Sequence, residues 1–278
     1  GAWLCHRCSA SGSWYDLKRR AGKGVAGEPQ PIPASPSSIM ASIRRRHGQG
    51  DDASVAKPVP DQQRVRTYPA NLMSNPRFAH VRNYLTGTQR GQRGLQMNVL
   101  TKYGVGCAAY TFPSEDGYRD AECITFPWVI DKKDFIPEEL DDLEDFLKAK
   151  YGQQSSVPDA VVVRVKARAI DNKRFQRLDP AGGRWGIFGL HTVPPHATTV
   201  VVTEGEYDAM AVYQATGVPA VSLPNGASSL PLGILPLLER FTKIYLWMDN
   251  DGPGQAGVEK FVRKLVSMCY RLCFFVAP

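Results

Sequence analysis

Several things are scarce in this sequence, and each scarcity excludes something. No apolar run approaches the roughly 18 residues that a membrane-crossing helix needs, so no such helix is expected. Cysteine occurs six times, and only Cys5 and Cys8 form a motif. That usage fits a reducing compartment better than a disulfide framework. No Gly-x-x-x-x-Gly-Lys-Ser/Thr stretch occurs, so a P-loop ATPase is not among these residues. Acidic side chains are rare in the first 100 residues, where 15 Lys and Arg face 5 Asp and Glu. The remaining residues carry 19 against 22, so a basic front half precedes a slightly acidic back half. A polyanionic partner, most commonly nucleic acid, is one reading of that imbalance, and a plain soluble basic surface is the other. The chain starts at Gly1 rather than Met and stops at Pro278 directly after an apolar run, which reads as a fragment. A missing targeting signal therefore excludes nothing.

What is present is ordinary in bulk, with 43% hydrophobic and 22% charged residues over 278 positions, enough for one large or two small domains. Residues 1–20 carry Cys5-His-Arg-Cys8 and a glycine-bearing turn, a knuckle that offers two thiolates to one zinc. This is half of a tetrahedral site, and free or redox thiols are the competing reading. Residues 21–70 hold Pro29-Gln-Pro-Ile-Pro33, Ser35-Pro36 and Pro58-Val-Pro60, which stop regular elements, so a flexible linker is expected there. Order is expected from Asn71, with Phe78, Val81, Tyr84 and Leu85 at helical spacing and a short second helix at Leu95, Val99 and Leu100. Short strands follow around Ala108–Phe112 and Cys123–Ile130, then an acidic helix over Glu138–Asp145 with a solvated face. Val161-Val-Val-Arg164-Val-Lys166-Ala-Arg168 alternates apolar and basic residues, which predicts one cationic strand face. Lys173, Arg174, Arg177 and Arg184 continue the positive character. Such a strand beside acids suits nucleotide phosphates held against a metal, and a sheet edge guarded by charge is the competing reading.

From Thr198 the pattern becomes regular. Strands are expected at Thr199–Thr203, Val218–Leu223, Lys243–Met248 and Leu272–Val276. Helical stretches fall between them at Glu206–Thr216, at about Leu230–Phe241, and where Val258, Phe261, Val262 and Leu265 keep helical spacing. Alternation with short connections predicts a parallel sheet covered on both faces, with its ligand crevice beyond the carboxyl ends of the strands. Glu204, Asn225, Asp249 and Asp251 all fall at those ends. Hard oxygen donors without competing thiols favour Mg²⁺. Glu204 could complete a metal site or accept a proton, and Gly205 and Gly226 let backbone approach a phosphate. A helix-capping role competes for each acid singly, and for Asp208 capping and orienting roles stand level.

Glu204-Gly-x-x-Asp208 with Asp249-x-Asp251-x-Pro-Gly254 resembles the Toprim domain of DnaG-type primases, topoisomerases and RecR-like recombination mediators. Ser222-Leu-Pro-Asn-Gly-Ala-Ser-Ser-Leu-Pro231 and Ile244-Tyr-Leu-Trp-Met-Asp249 resemble the TWINKLE family, relatives of phage primase-helicases. Tyr103-Gly-Val-Gly106, Ile124-Thr-Phe-Pro127 and Gly186-Ile-Phe-Gly-Leu190 are similar to the front half of a primase RNA-polymerase domain. The implied architecture is an α/β Toprim parallel sheet flanked by helices, preceded by an α+β primase subdomain and a partial zinc ribbon. Its divisions would be 1–20 zinc ribbon, 21–70 linker, 71–196 primase subdomain and 197–278 Toprim.

The resemblance implies priming, in which ribonucleoside triphosphates are joined on a single-stranded DNA template with Mg²⁺ or Mn²⁺. Glu204 would act as base or ligand, Asp249 and Asp251 as metal ligands, and Cys5 and Cys8 as zinc ligands. Lys166, Lys173, Arg174, Asn225 and Gly226 would contact nucleotide, supported by Gly205 and Asp208. It also implies a 5′–3′ DNA helicase domain in the parent chain, a ring homo-oligomer formed through it, and a mitochondrial matrix or nucleoid setting, with plastid or phage origin behind. Animal TWINKLE proteins have lost these acids and priming, whereas this chain keeps Glu204, Asp249 and Asp251. The rival readings are a non-catalytic DNA-binding and assembly module of a ring helicase, and a RecR-like mediator, against which the long segment 71–195 argues.

Overall fold

The computed structural model describes residues 2–4, 11–13, 57–115, 117–135, 137–226, 231–249, 252, 254, 256–257, 261 and 273–276. Strands β1 (Ala2–Leu4) and β2 (Ser11–Ser13) pair antiparallel, and the positions of Cys5 and Cys8 between them lie outside the described residues. Most of the expected linker is likewise outside, but its last part is packed. Helix α1 (Gln62–Arg66) is capped by Asp61, whose carboxylate accepts from the backbone of Gln63 and Arg64. Val59, Val65 and Tyr68 are buried. The expected onset of order at Asn71 is therefore too late. Pro58 and Pro60 end the extended lead-in, and Asp61 starts a helix immediately after it.

Helices α2 (Tyr68–Ser74), α3 (Ala79–Thr86) and α4 (Met97–Lys102) lead into an antiparallel sheet. Its strands are β3 (Gly106–Ser114), β4 (Gly117–Asp131), β5 (Ala160–Ala169) and β6 (Gln176–Asp179), in that order across the sheet. Helix α5 (Pro137–Tyr151) is the acidic stretch. It buries Leu143 and Leu147, and its solvent side is tied down where Glu139 pairs with Arg184. Opposite Trp128 and Val129 of β4, strand β5 presents Arg164 and Val162, so Val163 is an extra residue in a β-bulge. Val161 and Val163 face the main core, and beyond the bulge Val165, Ala167 and Ala169 face the smaller core that includes Val65 and Tyr68.

The second sheet is parallel, in the order β10–β9–β7–β8, built from β7 (Thr199–Thr203), β8 (Ala220–Ser222), β9 (Lys243–Trp247) and β10 (Cys273–Val276). Helix α6 (Glu206–Thr216) joins β7 to β8 and ends at Gly217, whose φ of 71° makes the left-handed cap. The stretch expected as a helix near Leu230–Phe241 is a 3₁₀ helix over Leu232–Leu238 with Pro236 inside it. Pro236 has no N–H to donate and crowds the preceding turn, which an α-helix does not tolerate. Val200, Val202, Ile244 and Leu246 pack under this 3₁₀ helix with Phe261, while Val201 on the opposite face packs with α6. Both faces are thus covered, as the unbroken valine run requires.

The two sheets share one core. Phe126, Trp128 and Phe188 of the front part lie in the same cluster as Val201, Ala209, Met210 and Ala220. Phe188 bridges to Ser222, and the buried Tyr103 hydroxyl donates to the Ala220 carbonyl at 2.8 Å.

Candidate active site at the carboxyl edge of the parallel sheet

The chain leaves β7 to one side to form β8, then crosses back to the other side to form β9. The carboxyl ends of β7 and β9 therefore flank the switch point, where open α/β sheets hold ligands. Thr203 pairs with Trp247, so Glu204 and Asp249 emerge from neighbouring strands at the same edge. The Thr203 hydroxyl donates to the Gly205 carbonyl at 2.9 Å and tightens the turn into α6.

Glu204, Gly205, Asp208, Gly226 and Asp249 come together here. Oε2 of Glu204 is buried and has no hydrogen-bond partner. A Cβ on Gly226 would lie 3.2 Å from Glu204 Oε1, and the φ of 64° at Gly226 is left-handed, so only glycine fits easily under this carboxylate. A Cβ on Gly205 would lie 2.7 Å from Asp208 Oδ2. Burial raises the Asp208 pKa, the nearby charge of Asp249 raises it further, and Arg93 opposes both. Asn225 lies on the exposed turn beside Gly226.

The cationic face of β5 exists, but it points inward. Lys166 Nζ donates to Glu206 Oε1 at 2.7 Å, and Glu206 is buried. Arg164 is buried over the rings of Trp128 and Trp185, at 5.8 and 5.1 Å, and Arg168 lies 6.0 Å from the Tyr207 ring centre. Lys166 thus braces the antiparallel sheet against α6 instead of standing free for phosphate. Lys173 and Arg174 sit on the exposed turn between β5 and β6, and among the described residues no ion pair links them to the acids. Asp251 lies outside the described residues.

Three contributors escape a reading of the sequence alone. Glu206 is the counter-charge of Lys166, and its place in Glu204-Gly-Glu206 was the available signal. Arg93 lies over the Tyr207 ring at 4.1 Å and donates to the Tyr84 hydroxyl at 2.8 Å, putting a cation beside Asp208. Nothing in the local sequence of Arg93 or Tyr207 marks either of them.

The donor set is oxygen only, and one buried carboxylate oxygen is unpartnered, which suits a hard divalent cation. Among the described residues no three His, Cys, Asp or Glu side chains form a complete ligand cluster. Two carboxylates with the rest supplied by phosphate and water is a usual Mg²⁺ arrangement.

Residues 198–271 match the Toprim domain family. The structure is similar to a DNA primase domain from Pseudomonas aeruginosa, at 15% identity over 78% of this chain and 69% of that one, with a TM-score of 0.52. It is similar to the DnaG catalytic core at 16% identity, over 78% and 70%, with a TM-score of 0.54. A DnaG primase catalytic domain bound to ssDNA matches at 17% identity, over 78% and 69%, with a TM-score of 0.53. The chain has the fold of a DNA primase catalytic core, and the site described above lies within its Toprim portion.

Proposed function

We propose that this chain carries the priming half of a DNA replication enzyme, joining ribonucleoside triphosphates on a single-stranded DNA template. The observation that carries this reading is the buried, unpartnered Oε2 of Glu204 at the switch-point edge, next to Asp208 and Asp249. A template class of single-stranded DNA is supported by the similar DnaG domain bound to it and by the basic front half of this chain.

Mg²⁺ (or Mn²⁺), when bound, would neutralise charge on the reacting phosphate and the acids, with Asp249 and Asp251 as its ligands. The growing strand's 3′-hydroxyl oxygen would bond the α-phosphorus, pyrophosphate would leave, and Glu204 would accept the hydroxyl proton. Arg93 keeps positive charge at the acid cluster, and Lys173 and Arg174 offer exposed cations to incoming phosphates. A zinc ribbon at Cys5 and Cys8, a helicase domain in the parent chain, ring assembly and a mitochondrial setting extend the proposal on the sequence resemblance alone.

The test is ribonucleotide incorporation on single-stranded DNA by the complete protein. Glu204→Gln and Asp249→Asn are each expected to lower it by about 100-fold or more, with the melting temperature held. Unchanged synthesis in both would remove this site from priming. A DNA-binding module without chemistry is the second reading, favoured by the basic front half of the chain. It predicts DNA binding without metal-dependent nucleotide binding.

A further inference from the structure

We propose that the indole of Trp247 is a stacking platform for a nucleobase held at the acid edge, an inference that rests on the primase-type reading. Along β9 the side chains alternate: Ile244 and Leu246 enter the core shared with Val200 and Val202. Tyr245 and Trp247 are on the opposite face, in register with Val201 and Thr203. On that face α6 covers β7 and β8, through Ala209 and Met210 against Val201 and Ala220. Its cover stops short of the end of β9. Thr203 is fully buried, while Trp247, its direct partner on the next strand, is 52% exposed.

Four large hydrophobic side chains are exposed among the described residues: Met73, Tyr118, Tyr151 and Trp247. Trp247 is the one at the acid edge, with its neighbour Thr203 leading into Glu204 and the chain after Trp247, the last residue of β9, reaching Asp249 two residues later. Paired strands lie about 4.8 Å apart, so an indole rooted here reaches the space in front of both acids. The acids repel bare phosphate, but a base is uncharged and offers a π-face. Stacking on tryptophan holds it without reading its sequence, which suits a site that must accept every template letter. The base could belong to the template or to a ribonucleotide, and the two sources separate experimentally.

The experiment uses the complete protein with Trp247→Ala and Trp247→Phe, followed by intrinsic fluorescence, oligonucleotide affinity and the KM for ribonucleotides. Trp247→Ala is expected to weaken binding by about tenfold or more while leaving the salt dependence of DNA binding unchanged, since no phosphate contact is lost. Trp247→Phe should recover most of the affinity and lose the part of the fluorescence quenching due to this one of the five tryptophans. An effect on a dT oligonucleotide marks a template base; an effect confined to ATP with Mg²⁺ marks the ribonucleotide. A folded Trp247→Ala protein that binds and primes as before overturns the inference. So does one that only melts earlier, because the ring would then be cover for another part of the chain. If Glu204→Gln abolishes priming while Trp247→Ala is silent, the primase reading stands and this inference falls. If the wild-type protein binds neither probe, both fall.

Discussion

At the residue scale, the site depends on what surrounds each titratable group. Glu204 and Asp249 were legible because an apolar run of strand length breaks into acid at each of them. Their company was not legible, since Arg93 is brought to Asp208 and Tyr207 from far along the chain. His191 shows the same limit. Burial depresses its pKa from 6.5 to about 4, a backbone hydrogen bond at Lys102 only partly offsets this, and its Nδ1 has no partner. It folds neutral. Between pH 6.5 and pH 4 the unfolded chain binds the proton more readily than the native one, so stability is full above that window and falls as pH drops through it. The loss from this group should approach roughly 3 kcal/mol. Thermal melts from pH 7 to pH 4 should show it, with a shallower slope in His191→Asn.

At the element scale, the cationic pattern of β5 was read correctly as a pattern and incorrectly as a surface. Periodicity places Arg164, Lys166 and Arg168 on one side, but it does not say what that side meets. Glu206 and the rings of Trp128, Trp185 and Tyr207 occupy it. Lys166→Met should cost about 3–5 kcal/mol, because it strands the buried Glu206 carboxylate. The double variant Lys166→Met with Glu206→Met should regain most of that in denaturant melts, as paired removal of a buried ion pair is often near neutral. If the double variant is stable but cannot bind ribonucleotides, Lys166 has a phosphate role as well. The 3₁₀ geometry at Leu232–Leu238 was hidden for a different reason: its apolar spacing is helical, and only Pro236 signals the tighter turn.

At the scale of the whole molecule, the alternation of strand and helix after Thr198 made the parallel sheet readable almost strand for strand. The division at 196/197 is less physical than it looked, because one apolar cluster crosses it. Phe188 lies 5.5 Å from Phe126 and 5.4 Å from Tyr103, ring centre to ring centre, and bridges to Ser222 of the parallel sheet. Phe188→Ala should therefore cost about 3–5 kcal/mol and weaken both sheets together. Near-ultraviolet and far-ultraviolet circular dichroism should report one shared, earlier transition. Two separate transitions would mean that the sheets unfold independently.

The extra Val163 in β5 carries a consequence for how the wall facing α6 is encoded. Side-chain direction in a strand is a matter of odd and even counting. Up to Val163 the odd positions face the large core; after it the even positions do, and those are Arg164, Lys166 and Arg168. Were the same residues paired without a bulge, the count would run on unbroken through Val163. The three cations would enter the small apolar core, and Val165 and Ala167 would turn towards Glu206. Whether this wall is charged or neutral is thus written in where the strand takes up one extra residue, and not only as a choice of amino acids.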